Sequence, residues 1–187
     1  MHILRATYRI VTPMYIAGAD QEAAEFRVPS FKGALRFWWR AIEWPKIIRD
    51  GKDPQKAFAC LVNREENLFG SVNGRSKVMV RCLGAPAASK APLDPHRYGG
   101  YGLSDRKALL TGELVIELRA GEGDRLDRVE PALKLLGLCG GLGSRSRNGY
   151  GSLTLIDIHR DGEKSNEWGL PSSADDFKAV IVKLLAA

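Results

Sequence analysis

The sequence predicts an α+β fold, because strand-like and helix-like spacings of apolar residues alternate along the chain. His2–Val11 alternates polar and apolar residues, the period of two that a half-buried strand shows. Pro29–Trp44 repeats its apolar residues every three or four positions, as a helix does. Of the 187 residues, 44% are hydrophobic and 27% charged, which is ordinary for a folded globular protein. A chain of this length can bury its apolar surface around one core, so we expect a single domain over residues 1–187.

The first helix has a predicted start and a predicted end. Ser30 suits the N-cap position, and Pro45 is expected to interrupt or end the helix. Gly33, in the first predicted turn, costs about 1 kcal/mol relative to alanine. We take this glycine as a sign that another backbone or a ligand approaches the helix closely.

The later patterns complete the order of elements. Short helices are expected within residues 53–62 and 64–69, and a strand over residues 77–83. Residues 84–110 show no clear period, as is typical of a functional or partly disordered connection. Beyond them we expect a strand over 112–120, a helix over 126–139, a strand over 150–159 and a final helix over 172–185. This order predicts a ferredoxin-like βαββαβ fold, shared by RNA-recognition modules, with insertions and a C-terminal helix.

Charge and composition narrow the class of partner. The formal net charge of +6 and the sequence pI near 9.3 favour a polyanion, since lysine and arginine release counterions from phosphates. Cys60, Cys82 and Cys139 lack metal-ligand spacing, so we expect neither a metal nor another cofactor. The N-terminus lacks a signal-peptide pattern, and no run of about 18 apolar residues suits a membrane span. The sequence therefore predicts a cytoplasmic protein.

The helix from Pro29 to Trp44 separates apolar and cationic residues. On a wheel of about 100° per residue, its core face is predicted to hold Phe31, Leu35, Trp38 and Ile42. One flank carries a cation stripe, which consists of Lys32, Arg36 and Arg40. Trp39 lies beside this stripe, and Arg27 adds a cation near the positive end of the helix, where Asp or Glu would be favoured. The pattern favours RNA binding, with the cations on the phosphate backbone and Trp39 as a stacking face.

A purely structural role for the same residues is also open. Arg36 or Arg40 could pair with Glu43 or with a carboxylate elsewhere, and Trp39 could fill the core. The cation stripe would then be a helix flank without a ligand.

A second candidate segment is the glycine loop, Gly140–Gly151, which contains five glycines together with Arg145 and Arg147. Glycines such as Gly143 accept left-handed backbone conformations and leave room for phosphate oxygens near the backbone N–H groups. The loop precedes a predicted strand and lacks a Gly-Lys-Ser/Thr ending, so it is neither a dinucleotide fingerprint nor a Walker motif. Its structural alternative is a turn that only closes the preceding helix against the sheet.

Several segments together resemble the RAMP superfamily. They are Arg27–Arg40, Leu68–Ser71 and the glycine loop, and Thr12-Pro13 with Gly18–Asp20 also fits. Within that superfamily the segments are similar to the first subunit of type III-B CRISPR (Cmr) effector complexes. The matching stretches extend from about Thr12 to Gly151.

The resemblance implies a ferredoxin-like, non-catalytic RNA-binding subunit in antiviral defence. It would contact the 3′ region of a guide RNA, a captured target RNA, or both, alongside other Cmr subunits that carry out target cleavage. RNA contact would fall on Lys32, Arg36, Trp39, Arg40, Arg145 and Arg147. Relatives often continue into a second ferredoxin-like half, whereas the elements expected in this sequence end with the one helix over 172–185.

Two other functions are open. A guide-processing endoribonuclease of the same superfamily would use histidine as a general acid or base, and His2, His96 and His159 are the candidates. Of these, His96 has the most suitable setting, in the long connection beside Tyr98-Gly99-Gly100. The other alternative is a scaffold whose tryptophan-rich helix binds protein.

Overall fold

The computed structural model describes residues 1–20, 23–49, 51, 53–91, 103, 106–165 and 167–186. Its strands, in chain order, are β1 (His2–Ile10), β2 (Val78–Gly84), β3 (Ala88–Lys90), β4 (Lys107–Leu109), β5 (Gly112–Ala120), β6 (Leu153–Arg160) and β7 (Glu163–Lys164). The main sheet is antiparallel, with the order β2-β5-β1-β6-β7. The four strands β2, β5, β1 and β6 lie side by side in the order of a ferredoxin-like sheet. The predicted fold class is therefore confirmed.

The helices are α1 (Val28–Arg49), α2 (Pro54–Phe69), α3 (Asp124–Asp127), α4 (Glu130–Cys139) and α5 (Ala174–Ala186). Helices α1 and α2 connect β1 to β2, and α3 and α4 connect β5 to β6. Each connection therefore passes over one intervening strand of the sheet. The predicted C-terminal helix is present and begins after Ser173, whose hydroxyl accepts a hydrogen bond from the Asp176 N–H at 3.1 Å.

The central strand β1 has one buried side. Its buried side chains are Leu4, Ala6, Tyr8 and Ile10, and the positions between them are exposed or partly exposed. The Tyr8 hydroxyl donates to the Leu133 carbonyl oxygen at 3.0 Å, and its ring meets Phe31 edge-on at 5.8 Å. The period of two predicted for this segment is thus confirmed, and this side of the sheet contacts the core side chains of α1 and α4.

The predicted start and end of α1 are wrong, and, apart from the adjoining residues and helix backbone, no described atom lies within 4 Å of a Cβ placed on Gly33, where the sequence predicts a close backbone approach. The helix begins at Val28, so Ser30 lies in its first turn, and the Arg27 carbonyl oxygen accepts the first helical bond, from the Phe31 N–H at 3.2 Å. Pro29 is tolerated there because the first turn needs no N–H donor. The helix also passes through Pro45 to Arg49, since buried Ile47 holds its last turn against the core.

The aperiodic connection contains a short two-stranded ribbon, formed by β3 and β4. An antiparallel bridge between Met14 and Leu109 attaches it to the chain that leaves β1. Met14 and Leu109 are both buried in the main core. The ribbon is therefore anchored at its base.

The side of the sheet away from the helices, here called the open face, carries a buried carboxylate. Glu117 on β5 is 2% exposed, and it accepts hydrogen bonds from Arg119 at 2.7 Å and from Arg5 at 3.2 Å. Burial alone would raise the pKa of Glu117, but these hydrogen bonds and the charges of Arg119 and Arg81 lower the pKa below its ordinary value. The folded state therefore favours the ionised carboxylate.

We expect Glu117→Gln to lower the free energy of unfolding by about 1–3 kcal/mol at neutral pH, because charge-assisted bonds to buried Glu117 are lost. A lowered pKa stabilises the fold above the unfolded-state pKa, and this contribution disappears as pH falls through the folded-state value. Urea unfolding at pH 7, 5 and 3 should thus show a wild-type advantage that shrinks toward pH 3. Glu113→Gln, an exposed change on the same strand, is the control; an equal effect in both variants would contradict the assignment.

Candidate nucleic-acid interface

The cation stripe of α1 faces α2. Arg36 pairs with Glu65 on α2, and the Arg40 guanidinium donates to both oxygens of the same carboxylate, at 2.9 and 3.1 Å. The third cation, Lys32, donates from Nζ to the Ser76 hydroxyl at 3.0 Å. Burial, followed by the nearby charge of Arg36, lowers the Lys32 pKa.

Glu65 is buried at 5% exposure, so the stripe has a structural role at the helix interface. One carboxylate for two guanidiniums still leaves an excess positive charge. The Arg40 side chain is 43% exposed, and it is the member of the pair most open to an external anion.

The prediction that Trp39 offers a stacking face is wrong. Trp39 is fully buried and meets Phe69 edge-on at 5.8 Å, and among the described residues its Nε1–H has no acceptor. Trp38, assigned to the core from sequence, is only partly buried. The reason is that α1 packs against α2 as well as against the sheet side, which turns its buried arc toward Trp39 and away from Trp38.

The glycine loop is held by the chain that follows β1. The Ser144 N–H donates to the Tyr15 carbonyl oxygen at 2.7 Å, and the Gly151 N–H donates to that of Pro13 at 2.9 Å. The Thr12 hydroxyl donates to the Gly149 carbonyl oxygen at 2.7 Å. The base of the loop is therefore fixed before any ligand binds.

Two glycines of the loop are required by packing. Gly143 has φ +88°, and a Cβ there would lie 2.5 Å from the Tyr15 carbonyl oxygen. Gly151 has φ +62°, and a Cβ there would lie 1.9 Å from the Leu142 carbonyl oxygen. These contacts explain both residues without RNA, so an RNA contact at Gly143 stays a prediction.

The arginines occupy the outer part of the loop. Arg145 has a left-handed backbone, with φ +58°, and directly precedes a short 3-10 turn formed by Ser146–Asn148. Arg147, Asn148 and Gly149 are exposed. The loop tip therefore presents a cationic side chain to solvent.

The two predicted segments do not form one continuous cation surface. Trp38 of α1 approaches the loop, since a Cβ on Gly140 would lie 2.8 Å from the Trp38 Nε1 atom. Arg36 is about 160° around the helix from Trp38 and points to α2 instead. Arg27 is exposed at the start of α1.

Sequence reasoning missed two contacts that shape these surfaces. The sequence around Glu65 does not indicate its partners, because a glutamate on an amphipathic helix resembles any solvent-facing residue. Arg106 donates from Nη1 to the Ser144 hydroxyl at 3.3 Å, which joins the inserted ribbon to the glycine loop. No local sequence motif indicates either contact, since each contact joins elements that are far apart in sequence.

Two of the three candidate histidines can be placed. His159 Nε2 lies 2.9 Å from Asp157 Oδ2, and His2 Nδ1 lies 3.0 Å from Asp161 Oδ2. Both lie at the end of the sheet away from the glycine loop, and His159 is about 20 Å along β6 from Leu153 at a strand rise of about 3.3 Å per residue. His96 lies outside the described residues.

Within the described ranges, no cluster of His, Cys, Asp or Glu could hold a metal ion. In that same part of the chain, no helix is long and apolar enough to cross a membrane.

The sheet order, its two helical connections and the late glycine loop define an α+β protein of the ferredoxin-like class. The RAMP superfamily model matches residues 7–154, and the chain belongs to this superfamily. The CRISPR system Cmr subunit Cmr1-1 of Pyrococcus furiosus is 26% identical over 181 residues, covering 88% of this chain and 51% of the relative.

Several solved structures share the fold. Cmr1 from Pyrococcus furiosus, in its apo form, aligns with a TM-score of 0.75 and 23% identity over 100% of this chain and 59% of that chain. A chain in a type III-B Cmr-beta complex bound to cognate target RNA and AMPPnP, in the presence of single-stranded DNA, aligns with a TM-score of 0.62 and 12% identity. This alignment covers 98% of our chain and 62% of the chain in the complex. Our chain thus spans about half the length of its curated relative.

We expect Trp39→Ala to lower the free energy of unfolding by about 3–5 kcal/mol, because it leaves a large cavity between α1 and α2. Trp38→Ala, at a partly buried position one residue away, should cost clearly less. Urea unfolding of both variants tests this order. A larger loss for Trp38→Ala would contradict the observed orientation of α1.

Proposed function

We propose that this chain is a non-catalytic RNA-binding subunit of a type III-B Cmr effector complex, and that the glycine loop is its main RNA contact. The chain would act as a single RAMP unit over residues 1–187. It would contact the 3′ region of a guide RNA, a captured target RNA, or both. Family membership and the similarity to Cmr1-1 support this assignment.

The observation that carries the proposal is the backbone of Arg145. A left-handed conformation costs a residue other than glycine about 1–2 kcal/mol, yet an arginine occupies it in a loop where glycine is common. Strain of this kind collects at functional sites, where the side chain is needed for another purpose. Arg145 would direct its guanidinium to an RNA phosphate, and exposed Arg147 would add a second cation.

The fixed base of the loop supports the same conclusion. Hydrogen bonds from Ser144 and Gly151 to the chain after β1 hold the loop in place. A preformed loop loses little conformational entropy on binding, so more of the phosphate interaction contributes to affinity.

The cation stripe and Arg27 would make a second, weaker contribution. Arg36 and Arg40 already pair with buried Glu65, so RNA would gain less from them. Arg27 and Lys32 lie near the N-terminal end of α1, where the helix dipole also favours phosphate. Trp39 has no part in this contact because it is buried.

The position of the described histidines supports a non-catalytic role. An acid–base residue must be within hydrogen-bond reach of the RNA, or within one water of it. His2 and His159 lie at the end of the sheet opposite the glycine loop, and each faces a carboxylate. In the complex, target cleavage would belong to other subunits.

We expect Arg145→Gly to weaken RNA binding while leaving the free energy of unfolding within about 1 kcal/mol of wild type. The glycine removes backbone strain but adds entropy to the unfolded chain, so the two effects oppose one another. Arg147→Ala should weaken binding too, and each variant should reduce the salt slope of log K by roughly 0.7.

The measurement is fluorescence anisotropy with a labelled single-stranded RNA across a salt series. The control is Arg128→Ala, an exposed arginine before α4, at the end of that helix distant from the loop. If the wild-type chain and the three variants bind RNA equally well, the glycine loop has a structural role and does not contact RNA.

The purified chain should not cleave CRISPR repeat RNA, because the two candidate histidines within the described residues lie away from the glycine loop. Gel electrophoresis after incubation with the repeat RNA tests this. Cleavage that disappears in His96→Ala would instead establish the endoribonuclease alternative.

A further inference from the structure

The inserted ribbon places two lysines directly opposite each other. In the antiparallel pairing of β3 with β4, Lys90 is the partner of Lys107. Both side chains are exposed. Because alternate residues of a strand share a side, both lysines lie on the side of the ribbon opposite to Ala108.

This pairing is unfavourable for the chain by itself. Side chains directly opposite in an antiparallel pair have their Cβ atoms about 4.5–5.5 Å apart, and like charges at that spacing destabilise the pair. Within the part of the chain that the structure describes, no carboxylate forms an ion pair with either lysine. A ribbon of only three residues per strand has little pairing energy to offset this repulsion.

The ribbon is held beside the glycine loop. Met14 and Leu109 exchange two backbone hydrogen bonds, at 2.9 and 3.0 Å, while the next residue, Tyr15, accepts the bond from Ser144 of the loop. Arg106, directly before Lys107, donates to the Ser144 hydroxyl. The ribbon and the loop thus share one anchor, and the lysine pair is a few residues from the loop on a fixed support.

We propose that Lys90 and Lys107 together bind one phosphate of the RNA strand that the glycine loop contacts, as a second phosphate-binding point. This inference rests on the proposed function. Two ammonium groups at this spacing can bracket a single phosphate, whose charge removes their mutual repulsion. A polyanion therefore gains attraction at a position where the described residues provide no carboxylate partner.

Charge reversal separates RNA contact from a structural role. Lys90→Glu places a glutamate opposite Lys107, an attractive pair that keeps or raises the melting temperature of the chain. Its affinity for single-stranded RNA should nevertheless fall about threefold to tenfold, with a shallower salt slope. Lys107→Glu should behave in the same way, and Lys90→Arg should bind like wild type.

The matched control is Lys178→Glu, the same charge change at an exposed position on α5. Fluorescence anisotropy with single-stranded RNA and thermal unfolding are measured for every variant. If Lys90→Glu binds RNA as well as Lys178→Glu does, the lysine site is overturned. If Arg145→Gly and Arg147→Ala still bind weakly in the same assay, the proposed function remains intact.

Two other results also decide the matter. A lower melting temperature in Lys90→Glu, together with weaker binding, traces the loss to folding and overturns the lysine site. A wild-type chain that does not bind RNA at any salt concentration overturns both this inference and the proposed function.

Discussion

The backbone of residues 12–16, which leaves the central strand β1, holds the glycine loop and the inserted ribbon together. Pro13 and Tyr15 accept hydrogen bonds from the glycine loop, and Met14 pairs with Leu109 of the inserted ribbon. The glycine loop therefore bonds to two alternate residues of this segment, and the ribbon bonds to the residue between them. Because β1 is paired on both sides and buried on one face, the loop and ribbon are attached to the end of a central, doubly paired strand.

Buried carboxylates decide which of the many cations are available to a partner. Each of three buried glutamates forms ion pairs with at least two cations: Glu65 with Arg36 and Arg40, Glu43 with Lys46 and Arg64, and Glu117 with Arg5 and Arg119. A buried carboxylate that lost these partners would cost several kcal/mol, so the pairs are held in the folded state. Each carboxylate offsets only one of its cations, so every cluster keeps a positive excess, but its cations are already engaged in contacts within the fold.

Periodicity predicted the elements well and their surroundings poorly. The alternation in β1, the final helix and the position of the glycine loop all follow from local patterns. The burial of Trp39 instead of Trp38 does not follow from a local pattern. Both residues lie near the edge of the apolar arc, and packing of α1 against α2 determines which one is buried. Helix α1 likewise continues through Pro45, since burial of Ile47 outweighs one missing hydrogen bond.

The sequence by itself determined the ferredoxin-like order, the resemblance to RAMP proteins and the existence of a glycine loop with two arginines. These depend on spacing along the chain, which is visible in one dimension. Only the tertiary structure decided that the cation stripe faces Glu65, that Trp39 is buried, and that Lys90 stands opposite Lys107. Each of these contacts joins residues more than 15 positions apart, or depends on which neighbouring helix packs against a face, and no local pattern carries that information.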